Sequence, residues 1–406
     1  MISCEEAKKI IEANCRVLPA ETVFLALASG TASAEDVLAP ISLPLFTNSA
    51  MDGFALDSTQ TMSATEERPV SLRIACDIKA GDKPRQISLG ETARIMTGAP
   101  LPEGSDAVLE KEKSILRDGF LVLKAPVSAG RNVRRPGEEI KEGELAFSKN
   151  GILNPGAIGF LSGMGIERIR VFRKPRVSVI TTGSELMRPG SRLKPGKIYD
   201  SNATMLLSAL QDLRIQPILI RQVKDESKLI HKILSFALKN SDLVILTGGV
   251  SVGEYDPVKA VLGEAGAETL FWKVSQKPGK PIYCGKKNKT LIFGLPGNPA
   301  AVFTCFYEYI YPAIRMMSGH SRPYLAEESA RLLSKVEPDK SKTLFLKGHV
   351  VSATEKEKTV LPLRNQKSHM LSSLRQANAL VVVSQSSKEL EEGDAVSVHL
   401  LPYGVS

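Results

Sequence analysis

Aromatic residues make up only 5% of the 406 positions, and there is a single Trp. The chain therefore offers few of the stacking platforms on which single-stranded nucleic acids are held. Cysteine is sparse and scattered: Cys4, Cys15, Cys76, Cys284 and Cys305 form no CxxC pair. That excludes a zinc ribbon and argues for reduced thiols rather than a disulfide framework. The histidines (His231, His320, His349, His369, His399) do not cluster either, so a C2H2-type metal finger is excluded. No run approaches the ~18 apolar residues needed to span a bilayer. Met1-Ile-Ser-Cys-Glu-Glu lacks the basic and apolar regions of a secretory signal. Repeats and low-complexity segments are also missing. These absences lead to the expectation of a cytoplasmic protein that neither crosses a membrane nor carries structural disulfides.

What is present is an ordinary globular composition, 43% hydrophobic and 24% charged, with a net charge of +9. At ~150 residues per domain the length implies two to four domains. The positive balance invites a nucleic-acid reading, but the Lys and Arg residues are dispersed and no RNA-binding motif accompanies them. A field that draws in small anions explains the charge equally well, and the expectation is no nucleic-acid partner.

Along the chain, Ser3 and Glu6 form a capping box ahead of Ala7, Ile10 and Ile11, which predicts an N-terminal helix. A second short helix is expected around Val23 to Ala28. From Pro44 to about Asn150, short β-rich pieces such as Val70–Ala75 and Phe120–Leu123 alternate with glycine turns. Asn154-Pro155 is a helix start, stopped by Gly163 and Gly165. This helix and the N-terminal ones are expected to pack together, with the β-rich unit inserted between them. After Pro175, apolar runs at Val177–Ile180, Pro217–Ile220, Leu243–Leu246 and Leu291–Phe293 read as strands buried on both faces. Helical stretches Ala203–Leu213, Ser227–Leu238, Pro257–Leu262 and Pro299–Met317 alternate with them, implying a mostly parallel sheet with helices on both sides. Beyond Ser321, strands at Thr343–Val351, Thr359–Leu363, Ala379–Val383 and Ala395–Leu400 predict a small barrel or sandwich.

Open α/β sheets bind ligands beyond the carboxyl ends of their strands, and three such ends here carry glycine and polar residues. Thr182-Gly-Ser-Glu185 follows the first strand. Thr247-Gly248-Gly249-Val-Ser251-Val-Gly253-Glu-Tyr-Asp256 follows the third, where backbone amides and the next helix can receive an anion. Alone, that loop reads as a tight turn with Asp256 capping the helix at Pro257. Gly294-Leu-Pro296-Gly297-Asn298-Pro follows the fourth. Glu185 and Asp256 are candidate Mg²⁺ ligands, since Mg²⁺ takes one or two carboxylates plus substrate phosphate oxygens. Asp225 is a possible third carboxylate, although its spacing suits a helix N-cap somewhat better. Lys273, Lys277 and Lys280 surround a Pro-Gly turn that suits an oxyanion, the alternative being a solvated basic loop. Asn48-Ser-Ala-Met-Asp52-Gly and Arg94-Ile-Met-Thr97-Gly read alone as turns at strand ends.

Taken together, Asn48-Ser-Ala-Met-Asp-Gly, Arg94-Ile-Met-Thr-Gly-Ala, Thr182-Gly-Ser-Glu-Leu, Gly248-Gly-Val-Ser-Val-Gly-Glu, Lys277-Pro-Gly-Lys-Pro and Gly294-Leu-Pro-Gly-Asn-Pro resemble the MoeA family. These are the molybdopterin molybdenumtransferases, represented also by the E domain of gephyrin. The resemblance implies a multidomain α/β fold in four parts: an elongated helical linker domain (1–43 with 133–173), an inserted β-rich domain (44–132), a molybdopterin-binding-like parallel α/β domain (174–321) and a C-terminal β-barrel (322–406). It implies a homodimer with a site formed between subunits. The implied reaction inserts molybdate into adenylylated molybdopterin and releases AMP, with Mg²⁺ as cofactor. The upstream adenylyltransferase is a further candidate partner. On this resemblance Asp52, Thr97, Glu185, Asp225 and Asp256 are catalytic. Lys273, Lys277, Lys280, the glycine loops and Ser368 bind substrate or anion, and Asp52 with Thr97 reach in from the partner subunit. Three positions depart from the pattern: Ser184 and Glu139 stand where the family often has Asp, and Lys347 where it has Arg. The rival readings are a nucleotide pyrophosphatase on the same α/β fold and a non-catalytic scaffold.

Overall fold

The computed structural model of the chain describes residues 1–249, 257–354 and 357–403. Helix α1 (Cys4–Asn14) begins as its capping box dictates, with Ser3 Oγ accepting from the Glu6 amide at 3.0 Å. Its buried face, Cys4, Ala7 and Ile11, joins the core of the α/β unit. That placement differs from the expected packing against the Asn154 helix, because the apolar stripe finds a larger apolar surface there. The short helix expected over Val23–Ala28 is instead strand β1 (Ala20–Phe24) and a 3₁₀ turn at Leu25–Leu27. Thr22 and Val23 suit an extended ladder, and β1 pairs antiparallel with a strand at Arg168–Phe172.

The chain runs out through Asn48–Ser49 and back through Val133–Arg134, two short strands paired antiparallel. Between them lie β2 (Gly53–Leu56), β3 (Val70–Ile78), β4 (Glu91–Ile95), β5 (Ala107–Glu110), β6 (Ile115–Arg117) and β7 (Phe120–Leu123). They form one sheet in the order β5-β2-β4-β3-β7-β6. A Cβ on Gly53 would lie 2.0 Å from the Leu109 carbonyl oxygen, so only glycine lets β2 and β5 approach this closely beside Asp52. Helix α2 (Pro155–Gly163) is capped by Asn154, whose side chain accepts from the Ala157 amide. Strand β8 (Arg168–Phe172) then leads into the next unit.

The α/β unit contains β9 (Val177–Thr182), α3 (Ser201–Asp212), β10 (Leu219–Val223), α4 (Ser227–Asn240), β11 (Leu243–Thr247), α5 (Pro257–Glu264), β12 (Glu268–Trp272), β13 (Tyr283–Lys287), β14 (Thr290–Leu295), α6 (Pro299–Cys305) and α7 (Tyr311–Met317). Sheet order is β10-β9-β11-β14-β13-β12. The first four strands are parallel and the last two antiparallel. Every residue of β9, β11 and β14 is buried, as continuous apolar runs require when helices cover both faces. The segment expected to be a lysine-bearing loop starts later than its sequence suggested, because Phe271 and Trp272 close strand β12. The single helix expected over Pro299–Met317 is broken by a five-residue π turn, Phe306–Ile310. Pro312 lacks an N–H and its ring crowds the carbonyl four residues back. The Tyr311 amide accordingly donates to Phe306, five back.

The C-terminal strands are β15 (Ala326–Leu332), β16 (Thr343–Thr354), β17 (Glu357–Pro362), β18 (Ala379–Val383) and β19 (Ala395–Leu400). Pairing runs β16-β17-β15-β19-β18 and returns to β16, which closes a five-stranded barrel. Gln276–Lys277 pairs in parallel with Thr343–Leu344, adding the lysine loop to the outside of this barrel. Among the described residues no helix is long and apolar enough to cross a membrane.

Candidate active site

Three loops at the carboxyl edge of the parallel sheet meet in one crevice of about 1330 Å³. After β9, Gly183 has φ +154°, and a Cβ there would meet both Glu185 carboxylate oxygens at 2.8 Å. Glycine is what lets the chain fold Glu185 back toward the crevice. Asp225 Oδ2 accepts from the Ser184 amide at 2.9 Å, which ties the β10 loop to the β9 loop. The helix-cap role that its spacing favoured is not the one it plays: the cap position of α4 belongs to Glu226, and no side chain caps it. After β11, Gly248 takes φ +82° and its Cα packs so tightly that a Cβ would lie 2.2 Å from the Thr182 carbonyl oxygen. Pro296, Gly297 and Asn298 follow β14 and complete this wall.

The crevice is also cationic. Lys277, Lys280, Lys342 and Lys367 all line the crevice, from the lysine loop and the barrel. Ser368 lies beside them, its carbonyl accepting from the Ala300 amide at the start of α6. Gly279, at φ +92°, seats the lysine loop over Cys305, since a Cβ there would fall 2.5 Å from Sγ. Lys347 is only 3% exposed. Its ammonium donates to the Asn365 carbonyl at 2.7 Å and so braces the segment that carries Lys367 and Ser368. Burial lowers the Lys347 pKa from its ordinary value, because a poorly solvated surrounding disfavours the charged form. Lys273 is placed apart: it has φ +71° and its ammonium sits 4.1 Å from the centre of the Trp272 ring, outside the crevice lining.

Asp52 and Thr97 meet on the inserted sheet, at the ends of β2 and β4. Thr97 donates to Asp52 Oδ1 through both its amide and its hydroxyl, each at 2.7 Å. These two bonds, the backbone one foremost, hold the Asp52 carboxyl below its usual range. Within one chain the pair does not line the crevice. Asp256, Ser251 and Gly253 lie outside the described residues.

Three family models cover this geometry from end to end. Residues 2–165 match the MoeA N-terminal region (domain I and II), 178–316 a probable molybdopterin binding domain, and 329–401 the MoeA C-terminal region (domain IV). Molybdopterin molybdenumtransferase 2 of Mycobacterium tuberculosis is 34% identical, over 98% of this chain and 99% of the relative. The chain belongs to the MoeA family. The molybdopterin molybdenumtransferase of Staphylococcus aureus is 32% identical over 98% of this chain and 95% of its own. A crystal structure of the molybdopterin biosynthesis MoeA protein from Pyrococcus horikoshii superposes with a TM-score of 0.82 at 30% identity, covering 98% of this chain and 99% of that one.

Several residues of this MoeA-family crevice escaped the sequence reading. Asp200, Asn202 and Gln276 are buried residues of its lining, and Lys342 and Lys367 are cations supplied by the barrel unit. Asp200 and Asn202 had a signal, two polar residues at the start of a helix, but that pattern is absorbed by capping. Asp200 does cap α3, accepting from the Ala203 amide at 3.0 Å, and also takes the Thr181 hydroxyl at 2.6 Å. Among the described residues no three potential ligands cluster tightly enough to form an all-protein metal cage. The crevice does offer the Glu185 and Asp225 carboxylates. Carboxylate oxygens of this kind, completed by substrate phosphate oxygens, fit Mg²⁺.

Proposed function

We propose that this chain is a molybdopterin molybdenumtransferase of the cytoplasm, which inserts molybdate into adenylylated molybdopterin and releases AMP in molybdenum cofactor biosynthesis. The observation that carries the reading is the crevice itself, lined by both carboxylates and four lysines. Its roughly 1330 Å³ suits a ligand as long as a dinucleotide-like adduct. The match over residues 2–165 disfavours a lone pyrophosphatase domain.

Lys277 and Lys280 receive molybdate, and Lys342 and Lys367 neutralise the phosphate that leaves with AMP. Preorganised donors of this kind stabilise developing charge without reorganising. Gly248 and Gly249 let backbone amides approach the pyrophosphate. Glu185, with Asp256, is the residue set that would hold Mg²⁺, which would supply charge neutralisation at the phosphoanhydride. Asp225 fixes the Glu185 loop through the Ser184 amide. Lys273 contributes to the cationic field from behind the wall. Asp52 and Thr97 complete the site from the second subunit of a homodimer, and the adenylyltransferase that makes the substrate docks to hand it over.

Purified protein supplied with adenylylated molybdopterin should release AMP in a molybdate-dependent manner. Lys277→Ala and Asp256→Ala should each slow that release by about 100-fold or more. Unchanged rates in both variants would remove these residues from the mechanism. AMP release that ignores molybdate would point to the pyrophosphatase instead.

A further inference from the structure

Asn202, the second residue of α3, is only 7% exposed. Its Nδ2 donates to the Gly297 carbonyl at 2.8 Å. A carbonyl only accepts, so the amide must present its NH₂ group to Gly297 and turn Oδ1 away. Among the described residues that oxygen is buried and meets no donor, and the hydroxyl oxygen of Thr182 is likewise buried without a partner. Thr182 is 3% exposed, and both residues line the same crevice. Nearly all buried polar atoms in native proteins have partners. Two orphans on one crevice wall mark a place where a ligand supplies what the protein lacks.

Two glutamine amides of the lining do not share this condition. Gln276 takes the Tyr309 hydroxyl on its carbonyl oxygen and gives its NH₂ group to Pro278. Gln366 exchanges two bonds with the Lys347 backbone. Asp200 is spent on Thr181 and Ala203. Asn202 Oδ1 is a fixed acceptor, held in place by the bond its own nitrogen makes.

An acceptor oxygen repels phosphate and molybdate oxygens, which bring negative charge and no proton. The anionic part of the ligand therefore lies toward Lys277 and Lys280, and a neutral, donor-bearing part lies against Asn202. We infer that Asn202 Oδ1 reads the nucleoside half of the substrate, accepting a hydrogen bond from a ribose hydroxyl or the adenine amine, with the Thr182 hydroxyl of the same crevice as a second partner. Asn202 bridges α3 to the loop after β14, and Gly297 in that loop sits against Gly248 after β11. This is the strand-end position where doubly wound sheets hold nucleotides. The inference rests on the proposed reaction and adds a specificity-determining residue to it.

The test is calorimetric titration of the full-length protein with AMP, 2′-deoxy-AMP, 3′-deoxy-AMP and purine riboside monophosphate, which lacks the exocyclic amine. Wild type should bind one of the three analogues about tenfold more weakly than AMP. Asn202→Ala should bind that analogue and AMP alike. The variant also cuts the Gly297 tether, and for that reason the ratio is the readout: a disturbed loop weakens all four ligands by the same factor. Thr182→Val, which keeps the tether, should narrow the same ratio. Identical ratios in wild type and Asn202→Ala, with molybdate-dependent AMP release intact, overturn the assignment and leave the reaction standing. Wild-type protein that neither binds AMP nor releases it overturns both.

Discussion

Asp52 is fully exposed, yet its carboxyl stays below the usual range because Thr97 donates to it twice. Thr97→Val keeps the amide bond and removes the hydroxyl one, so the Asp52 pKa should rise toward the ordinary value. If ionised Asp52 serves the reaction, the acid limb of the pH–rate profile should move to higher pH in that variant. A limb that stays in place would separate the pair from the chemistry. The thiols make a contrasting case. Burial drives the Cys284 and Cys305 pKa values far up and pushes Cys15 up to about 12. These three should resist a thiol reagent at pH 8 until the protein unfolds, whereas rapid modification of all five in the native state would contradict their burial. The scattered spacing that argued for reduced thiols thus has a structural counterpart: all five are free.

Among the elements, the strands were legible and their embellishments were not. Val177–Thr182 and Leu243–Thr247 announce themselves because burial on both faces demands unbroken apolar runs. Strands β12 and β13 alternate less clearly, with Lys286 and Lys287 at the end of one and Glu268 at the start of the other. The sequence therefore reads as loop until the ladder is seen. The π turn depends on Pro312 and on five consecutive buried residues, a combination that helical periodicity cannot separate from plain α-helix. Within the crevice, glycines and charged residues stood out, but Asn202 did not, and Thr182 stood out only as part of a glycine turn. The significance of both lies in a missing partner, and only three-dimensional placement reveals what a side chain fails to touch. The glycine loops themselves allow a sharp comparison. Gly248→Ala puts a Cβ 2.2 Å from a carbonyl oxygen at φ +82°, and should cost about 2 kcal/mol or more while disabling the crevice. Gly297→Ala meets nothing closer than 3.9 Å and needs no positive φ, so its stability should change by less than about 1 kcal/mol. Equal denaturation midpoints for the two variants would refute this reading.

For the molecule as a whole, one buried carboxylate links three parts of the chain. Glu308, in the π turn, pairs with Lys8 of α1 and His399 of β19, each at 2.7 Å. Burial alone would raise its pKa; the His399 hydrogen bond and the Lys8 charge outweigh that and leave it lowered. A lowered carboxylate pKa stabilises the fold above the ordinary carboxylate range and loses that contribution as pH falls through the folded value. Glu308→Gln should therefore destabilise the protein by about 3 kcal/mol near neutral pH, and the gap to wild type in urea melts should shrink on acidification. A gap independent of pH would mean packing, not charge, is what Glu308 provides. The shared-site proposal makes a different whole-molecule prediction. Asp52→Ala and Lys277→Ala chains, each inactive alone, should recover up to about a quarter of wild-type AMP release when co-expressed, because half the random pairings carry one intact site. No recovery in isolated mixed dimers would mean that Asp52 serves the crevice of its own chain.

The parallel pairing of Gln276–Lys277 with Thr343–Leu344 gives the barrel a mechanical role. Lys277 is pinned from two sides, to a barrel strand through this ladder and to the α/β unit through Gln276, which takes the Tyr309 hydroxyl, and Gly279, seated against Cys305. The barrel shares one apolar core with the α/β unit through Phe345, Leu380 and Leu401, so it acts as a splint that fixes where the lysine stands.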